Sequence, residues 1–591
     1  MPPGPRRLRL VAPAAAVAIA TCLVAAPAAP ASTSGNAPGS AVGVRSPRAT
    51  TGTTTDANAP VPVPDTAFPP PGRRLSPHRV IAIAAALPKV RSERARYPGS
   101  YGGAYLKGPG RWQVSYFSRK GRKEIAQVLI SDANGRVLEA WTGFQVAWTM
   151  ARGYPGAFGH RVNALYIWIP LTILFVLPFV QWRRPFSLVH LDLLALSAFS
   201  LSLAFFNHGR IYASVPLVYP PLVYLLVRML VIAGVRRRAA DRPPSPGPAL
   251  RMWIPVPWLT VAIVFLIGFR VGLNVVDGNV IDVGYAGVIG ASRIVHGQSL
   301  YGHWPSDNQH GDTYGPVSYE AYVPFEQLLG WSGHWDQLPA AHGAAIVFDL
   351  LAIALLFLVG RRVRGPTLGI LLAYAWVTFP FTLYALESDS NDSLVAVLIL
   401  GALLVASRPR ARGGMAALAG LTKFAPLALA PLLATHGLYG ASRRRRLTGV
   451  AGFAIAFAVT AAIVSIPALT HSSLHTFYER TFAYQANRGS PFSVWGLYGG
   501  LGGWQGAVQV GAVLLAIALA VLPRRADTVG LAAAAAAIVI AAQLGIDHWF
   551  YLYIPWFFAP AILALLGRFS EPAEGPAAAS EPALSRQLVA A

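Results

Sequence analysis

The sequence predicts an all-α polytopic membrane protein of about twelve transmembrane helices plus a re-entrant hairpin, with a small α+β domain outside the membrane near the N-terminus. Three observations predict it. Hydrophobic residues make up 54% and charged residues 13%, and mean hydropathy is +0.46. Apolar runs of about 18–22 residues recur, the length needed to cross roughly 30 Å of hydrocarbon as helix. The formal net charge of +24 falls mostly in short clusters between those runs, the positive-inside pattern. That placement assigns the charge to membrane topology and argues against nucleic acid as a partner. A single cysteine, Cys22, rules out an internal disulfide framework and a thiolate metal cluster.

Residues 1–30 combine a basic head, an apolar run and a small-residue tail, as a signal peptide or uncleaved anchor does. Thr21 is bulky for the position preceding a lipidated cysteine, so Cys22 is a poor lipid-attachment site. Residues 31–75, rich in Ala, Thr, Pro, Ser and Gly, are predicted to be a disordered linker. Folded structure resumes in an extracytoplasmic accessory domain over 76–160. There SPHRVIAIAAALPKVRSERARYP reads as one helix capped by Ser76, with Pro77 at its first position. Three strands follow, RWQVSYFS, KEIAQVLIS and RVLEAWTG, the last two joined by a turn at Asn134-Gly135. A helix followed by a three-stranded meander resembles a PepSY-type domain, most closely in Gly135-Arg-Val-Leu-Glu-Ala-Trp141.

Additional transmembrane helices are expected over 161–250, a membrane core over 251–568 and a disordered cytoplasmic tail over 569–591. Apolar runs lie near 163–182, 187–205, 213–234, 252–270, 343–360, 366–385, 391–407, 447–467, 503–522, 527–544 and 548–567. Strict alternation places QWRRP, GVRRRAADR, RRVRG, SRPRARG, SRRRR and PRRAD inside, except that SRPRARG and SRRRR flank one apolar segment. A single crossing cannot leave both on the same side. A re-entrant hairpin can, rising from Gly413 to a break at Lys423-Phe-Ala-Pro426 and descending through Pro431. Pro426 removes a backbone donor, and a broken helix at membrane depth is tolerated where it lines a cavity.

Lys423 stands at that break. Only five of the 49 Lys plus Arg residues are Lys, and none but Lys423 follows Lys123. A charge at bilayer depth costs roughly 2.5–3.5 kcal/mol on insertion scales, so such a residue normally faces a polar cavity. Snorkelling to the interface is the structural alternative. The same topology places four polar segments outside: 271–342, LESDSND at 386–392, 468–502 with His475, Arg480 and Arg488, and Gly545-Ile-Asp-His-Trp549. Transfer of a sugar from a lipid phosphate requires such a layout. One carboxylate takes the acceptor proton at the outer interface, and cations stabilise the phosphate that leaves.

The arrangement resembles the class C glycosyltransferases, most closely glycosyltransferase family 87. The resemblance is carried by Asp282-Val-Gly-Tyr285, Gly297-Gln-Ser-Leu-Tyr301, Tyr314-Gly-Pro-Val-Ser-Tyr319, Asn391-Asp-Ser-Leu394, Gly420-Leu-Thr-Lys423-Phe-Ala-Pro426, Asn487-Arg-Gly-Ser-Pro-Phe-Ser-Val-Trp-Gly496 and Tyr551-Leu-Tyr-Ile-Pro-Trp556. It implies an inverting, polyprenyl-phosphate-sugar-dependent hexosyltransferase, with mannose the family-level sugar. A multi-pass plasma-membrane enzyme would then face outward, with a glycolipid or cell-wall glycan as acceptor and no required cofactor. Asp282 matches the family's catalytic base, with Asp277 as the competing carboxylate and Asp307 and Asp312 as loop charges. Lys423, Arg488 and His548 are the phosphate-binding candidates. Tyr285, Tyr301, Tyr314, Tyr319 and Asn391 are candidate sugar or acceptor contacts, against the alternative of an aromatic belt. Asp389-Ser-Asn-Asp392 reads as negative charge at a helix N-terminus rather than as a metal site. A transporter or flippase of lipid-linked sugars is the alternative function, because broken helices also mark transporter sites.

Overall fold

The computed structural model describes residues 60–153, 158–180, 186–234, 252–522 and 524–569. The N-terminal signal or anchor, the basic clusters at 181–185 and 235–242, and the tail from 570 onward lie outside the described residues.

The accessory domain is a five-stranded antiparallel sheet in chain order: β1 (Val61–Val63), β2 (Tyr101–Leu106), β3 (Arg111–Phe117), β4 (Glu124–Ser131) and β5 (Val137–Thr142). Two of these strands depart from the sequence reading. β1 lies in the stretch assigned to the disordered linker, and β2 is Tyr-Gly-Gly-Ala-Tyr-Leu, whose glycines mask strand propensity. Gly102 is needed there because a Cβ would stand 2.8 Å from the Tyr116 ring on β3. The single predicted helix is two, α1 (Pro77–Ala85) and α2 (Pro88–Arg96). Leu87 is extended because the ring of Pro88 disfavours helical geometry in the residue before it. Ser76 caps α1 through the Arg79 N–H, at 3.2 Å. Val80, Ala84 and Val90 pack with Trp112, Val114, Val128 and Ile130 as the domain core. Asp132 ties the segment before α1 to the sheet, accepting from the Arg74 and Leu75 N–H groups and from Trp112 Nε1.

The remaining chain is helical: α3 (Leu165–Val176), α4 (Leu188–Asn207), α5 (Ile211–Ala233), α6 (Val256–Asp277), α7 (Asp282–Val295), α8 (Pro339–Thr378), α9 (Asp392–Leu404), α10 (Pro409–Thr422), α11 (Ala430–Thr435), α12 (Arg443–Thr470), α13 (Gly502–Val521), α14 (Thr528–Leu544) and α15 (Ile554–Leu566). Among the described residues six are long and apolar enough to cross a membrane: α4, α5, α6, α8, α12 and α13. The other apolar helices are 10–17 residues long, so length and composition support six spans where the sequence suggested twelve. α8 bends through Arg364 and Gly365, the glycine at φ 77°, immediately before Pro366, and so carries two of the predicted runs. α6 does not end at Arg270 but continues to Asp277. Arg270 is buried inside it and pairs with Asp349 of α8 at 2.5 and 3.0 Å, where Trp376 Nε1 adds a third bond.

α3 to α5 join the core instead of standing apart from it. Phe199 packs on Phe381, Trp549 and Phe557, and the Tyr551 hydroxyl lies 2.7 Å from Ser202 and 2.8 Å from Ser214. The segment read as a re-entrant hairpin is a helix, a break and a short second helix. α10 ends at Lys423, which is extended, and a 3₁₀ turn at Ala425–Leu429 leads into α11. The two sides of the break touch closely at Gly420, where a Cβ would meet the Leu427 side chain at 2.2 Å.

Candidate functional site

Two glycines, Gly315 and Gly284, set the geometry around the break at Lys423. Gly315 lies against the end of α10: a Cβ there would stand 2.0 Å from Leu421 O, and its N–H donates to Thr422 O at 3.2 Å. Ser318 Oγ donates to the same carbonyl at 2.7 Å, so a chain end left open by the break is satisfied by the loop. This docking brings the Tyr314 ring to 5.4 Å from Lys423 Nζ. Gly284 does the equivalent for α7, where a Cβ would be 2.3 Å from Asp389 O. Backbone bonds from Asn279 to Glu387 O and from Ile281 to Ser388 O hold the N-terminus of α7, and with it Asp282, beside the N-terminus of α9.

Lys423 is 6% exposed and is not a free cation. Its Nζ donates to Asp392 Oδ1 at 2.5 Å, and Trp556 Nε1 donates to the same oxygen at 2.9 Å. Asp392 was read as a helix-end charge. It is the first residue of α9, and it is also the ion-pair partner of Lys423. Tyr314, Tyr553 and Trp556 surround the ammonium at 5.4, 5.7 and 5.2 Å, within cation–π reach.

Asp282 opens to solvent while protein surrounds it closely, which places its carboxylate in a recessed cleft. Among the described residues no side chain hydrogen-bonds that carboxylate, which takes only the Val283 N–H of its own helix start; its backbone carbonyl accepts from Asn308 Nδ2. Burial raises the Asp282 pKa above the usual carboxylate range, against the opposing pull of Arg488, the Val283 N–H and Lys423. Arg488 is the nearest strong positive influence. Its guanidinium lies over Trp148 at 5.6 Å, and its Nε has no acceptor among the described residues. His548 Nδ1 lies 2.9 Å from Ser490 Oγ, and the ring packs against Trp148 and Phe492. Burial, with Arg488 and Lys423 nearby, pushes its pKa well below the ordinary value. His548 is therefore neutral and can offer a hydrogen bond but not the charge expected of it.

Asp282, Lys423, Arg488, His548 and Tyr314 thus converge on one cleft, and the other candidates do not. Asp277 ends α6 and is occupied by Arg161, whose Nε is 3.3 Å from Oδ1 and whose N–H donates to Oδ2 at 2.8 Å. It ties α6 to the segment preceding α3. Tyr285 is fully buried against Trp335, with its hydroxyl on Asp307. Tyr301 donates to Tyr314 O and Tyr319 to Gly311 O, both from the core. These three tyrosines build the loop that carries Tyr314 and do not line the cleft. Asn391 is buried and donates to Ser318 Oγ. Asp312 is held by Arg480 at 2.6 Å.

Sequence reasoning missed Asp392 as a partner and Trp148 altogether. Trp148 lies in the strap leaving the accessory domain, and Arg152 anchors that strap by donating to Gln127 of β4 and to the Gln145 and Val146 carbonyls. Tyr553 and Trp556 belong to a motif quoted for its resemblance, and their aromatic spacing at a helix start was the available signal. Among the described residues no group of three or more His, Cys, Asp or Glu could hold a metal ion.

Residues 313–545 match the family model described as Glycosyltransferase family 87. The matched segment is under half of the chain. It begins one residue before Tyr314 and takes in Asp392, Lys423 and Arg488, which makes it family-87-like at the core of the cleft. Asp282, His548, Tyr553, Trp556 and Trp148 contribute to the same cleft from outside it. The match supports a membrane-embedded glycosyltransferase. No curated protein and no solved structure matches the chain.

Proposed function

We propose that the protein transfers a sugar from a polyprenyl-phosphate-sugar donor to a cell-envelope acceptor at the outer face of the plasma membrane, with inversion. The observation that carries this reading is the convergence of a recessed carboxylate with no side-chain partner among the described residues, Asp282, with Arg488 and the caged Lys423–Asp392 pair. Asp282 takes the proton of the acceptor hydroxyl as that oxygen attacks the anomeric carbon. A raised pKa makes it a stronger base than an exposed carboxylate. The donor phosphate departs as an anion and needs no general acid. Arg488, with a free N–H, meets that charge. Lys423 is neutralised by Asp392, so it orders the aromatic wall and adds a weaker field. Tyr314, Tyr553 and Trp556 offer faces on which a pyranose or the first isoprene units can lie.

The test is transfer from a labelled polyprenyl-phosphate-sugar panel by purified protein, wild type beside Asp282→Asn and Lys423→Ala. One donor should serve. Asp282→Asn should bind it without turnover, and Lys423→Ala should bind it more weakly. Movement of lipid-linked sugar across vesicles with no transfer from any donor would establish the transporter alternative instead. Transfer that survives Asp282→Asn would assign the base to another residue.

A further inference from the structure

A second cluster of charge lies away from the cleft, at the end of the bundle that carries the arginine clusters. Arg412, in the first turn of α10, is 1% exposed. Its Nη1 donates to Ala406 O at 2.6 Å and His436 O at 3.0 Å, while Nε and Nη2 have no acceptor. Arg524, half-buried in the connection between α13 and α14, donates through Nε to Leu519 O, and its Nη1 lies 3.4 Å from His436 Nδ1. His436, just past α11, is 7% exposed. Burial, with Arg524 and Arg412 beside it, depresses its pKa to about 3, so the imidazole is neutral and accepts from Arg524. Asp527 is the carboxylate whose field reaches this group. Its oxygens are already taken by Arg525 at 2.6–2.8 Å and by the Gly530 N–H at the start of α14.

Two guanidinium groups therefore share a buried corner with no counter-ion of their own among the described residues. Burying a charge unpaired is strongly unfavourable, and a bound anion is the usual remedy. Immediately along the same helices the walls become apolar, with Met415, Ala416, Leu433 and Ala535 around one crevice. Arg412 and Arg524 belong to two of the basic segments, SRPRARG and PRRAD, that the positive-inside pattern assigns to one membrane face. Clustered arginines at such a boundary attract anionic headgroups.

We propose that Arg412 and Arg524, with His436 between them, form a phosphate-binding site that takes the headgroup of an anionic phospholipid. Arg524, half-buried, forms the open side that meets the headgroup, and the buried Arg412 adds its uncompensated charge from behind. The same chemistry would accept free inorganic phosphate, and the experiment separates the two sources.

Full-length protein is reconstituted in phosphatidylcholine nanodiscs with and without phosphatidylglycerol, and in uncharged detergent with and without 10 mM phosphate. Thermal unfolding is followed in all four conditions, and retained lipid is read by native mass spectrometry. The expected result is a higher melting temperature with phosphatidylglycerol and a retained phosphatidylglycerol molecule. Arg524→Gln should lower its retention roughly five- to tenfold. Arg412→Gln should do the same, and because Arg412 is fully buried, the half-buried Arg524 keeps the test decisive if that variant fails to fold. A shift produced equally by phosphate in detergent and lost in Arg524→Gln would support the site with a soluble anion as occupant. Wild type and Arg524→Gln responding alike to both anions would overturn the proposal. None of these readouts depends on sugar transfer, so failure here is distinct from failure of the glycosyltransferase reading.

Discussion

Replacing Asp392 by Asn strands the ammonium of Lys423 in a site where it is 6% exposed and has lost the carboxylate it is bonded to. The carboxylate lies 2.5 Å away and is itself fully buried, so neither charge has water to fall back on. Breaking a buried pair from one side costs about 3–5 kcal/mol. The three ring faces at 5.2–5.7 Å remain, but cation–π attraction of roughly 0.5–2 kcal/mol each already acts in the wild type and cannot replace the anion. Lys423→Met is expected to cost a similar amount, because it leaves Asp392 with the Trp556 N–H and with Oδ2 unpaired. The double variant removes both charges together and should cost far less than the two single costs added, giving a coupling of about 2–3 kcal/mol. The measurement is reversible unfolding in mixed micelles, followed by tryptophan fluorescence, for all four proteins. Additivity to within about 0.5 kcal/mol would refute the reasoning, since it would mean that the two groups do not feel each other.

Further outcomes are expected at Asp282, Trp148 and Asp132. Asp282→Asn should lower turnover by roughly 10²–10⁴-fold with donor binding retained, as loss of a general base does. In wild type the acidic limb of the rate profile should lie above the ordinary carboxylate range, because burial raises the Asp282 pKa, and activity should fall as pH drops through it. Trp148→Ala removes the face under Arg488 and should raise the donor KM several-fold, with Trp148→Phe restoring part of the loss; equal KM values in all three proteins would exclude Trp148 as a positioning residue. Asp132→Asn should loosen the accessory domain by roughly 2 kcal/mol, read as faster hydrogen exchange over β3 and β4 in the intact chain. Burial opposes ionisation of Asp132, but hydrogen bonds from Leu75, Trp112 and Arg74 outweigh it and hold the carboxyl below the usual range. Its contribution is therefore complete above about pH 4 and lost as pH falls through the folded-state value, so wild type and Asp132→Asn should converge in acid.

What could be read from the chain alone was what local physics controls. The apolar runs, the Ser76 cap and the break at Lys423-Phe-Ala-Pro426 depend on hydrophobicity, capping and the missing proline donor, all of which act within a few residues. The scarcity of lysine made Lys423 conspicuous before any partner was known. Strands β1 and β2 escaped because β1 takes its register from β2 and β2 from β3, and several apolar runs fold as helices of 10–17 residues, shorter than hydropathy suggested. Which polar groups meet was decided only by the tertiary structure. Asp282 and Asp277 are equivalent candidates in sequence, yet Arg161 occupies one and leaves the other facing Arg488. Tyr314 and Tyr319 share a motif, yet one faces Lys423 and the other is buried in the loop. Lys423 finds Asp392 on a neighbouring helix, and Arg488 meets Trp148 across most of the chain's length. Pairings at such separations depend on how the helices pack against one another, and no short stretch of sequence encodes that.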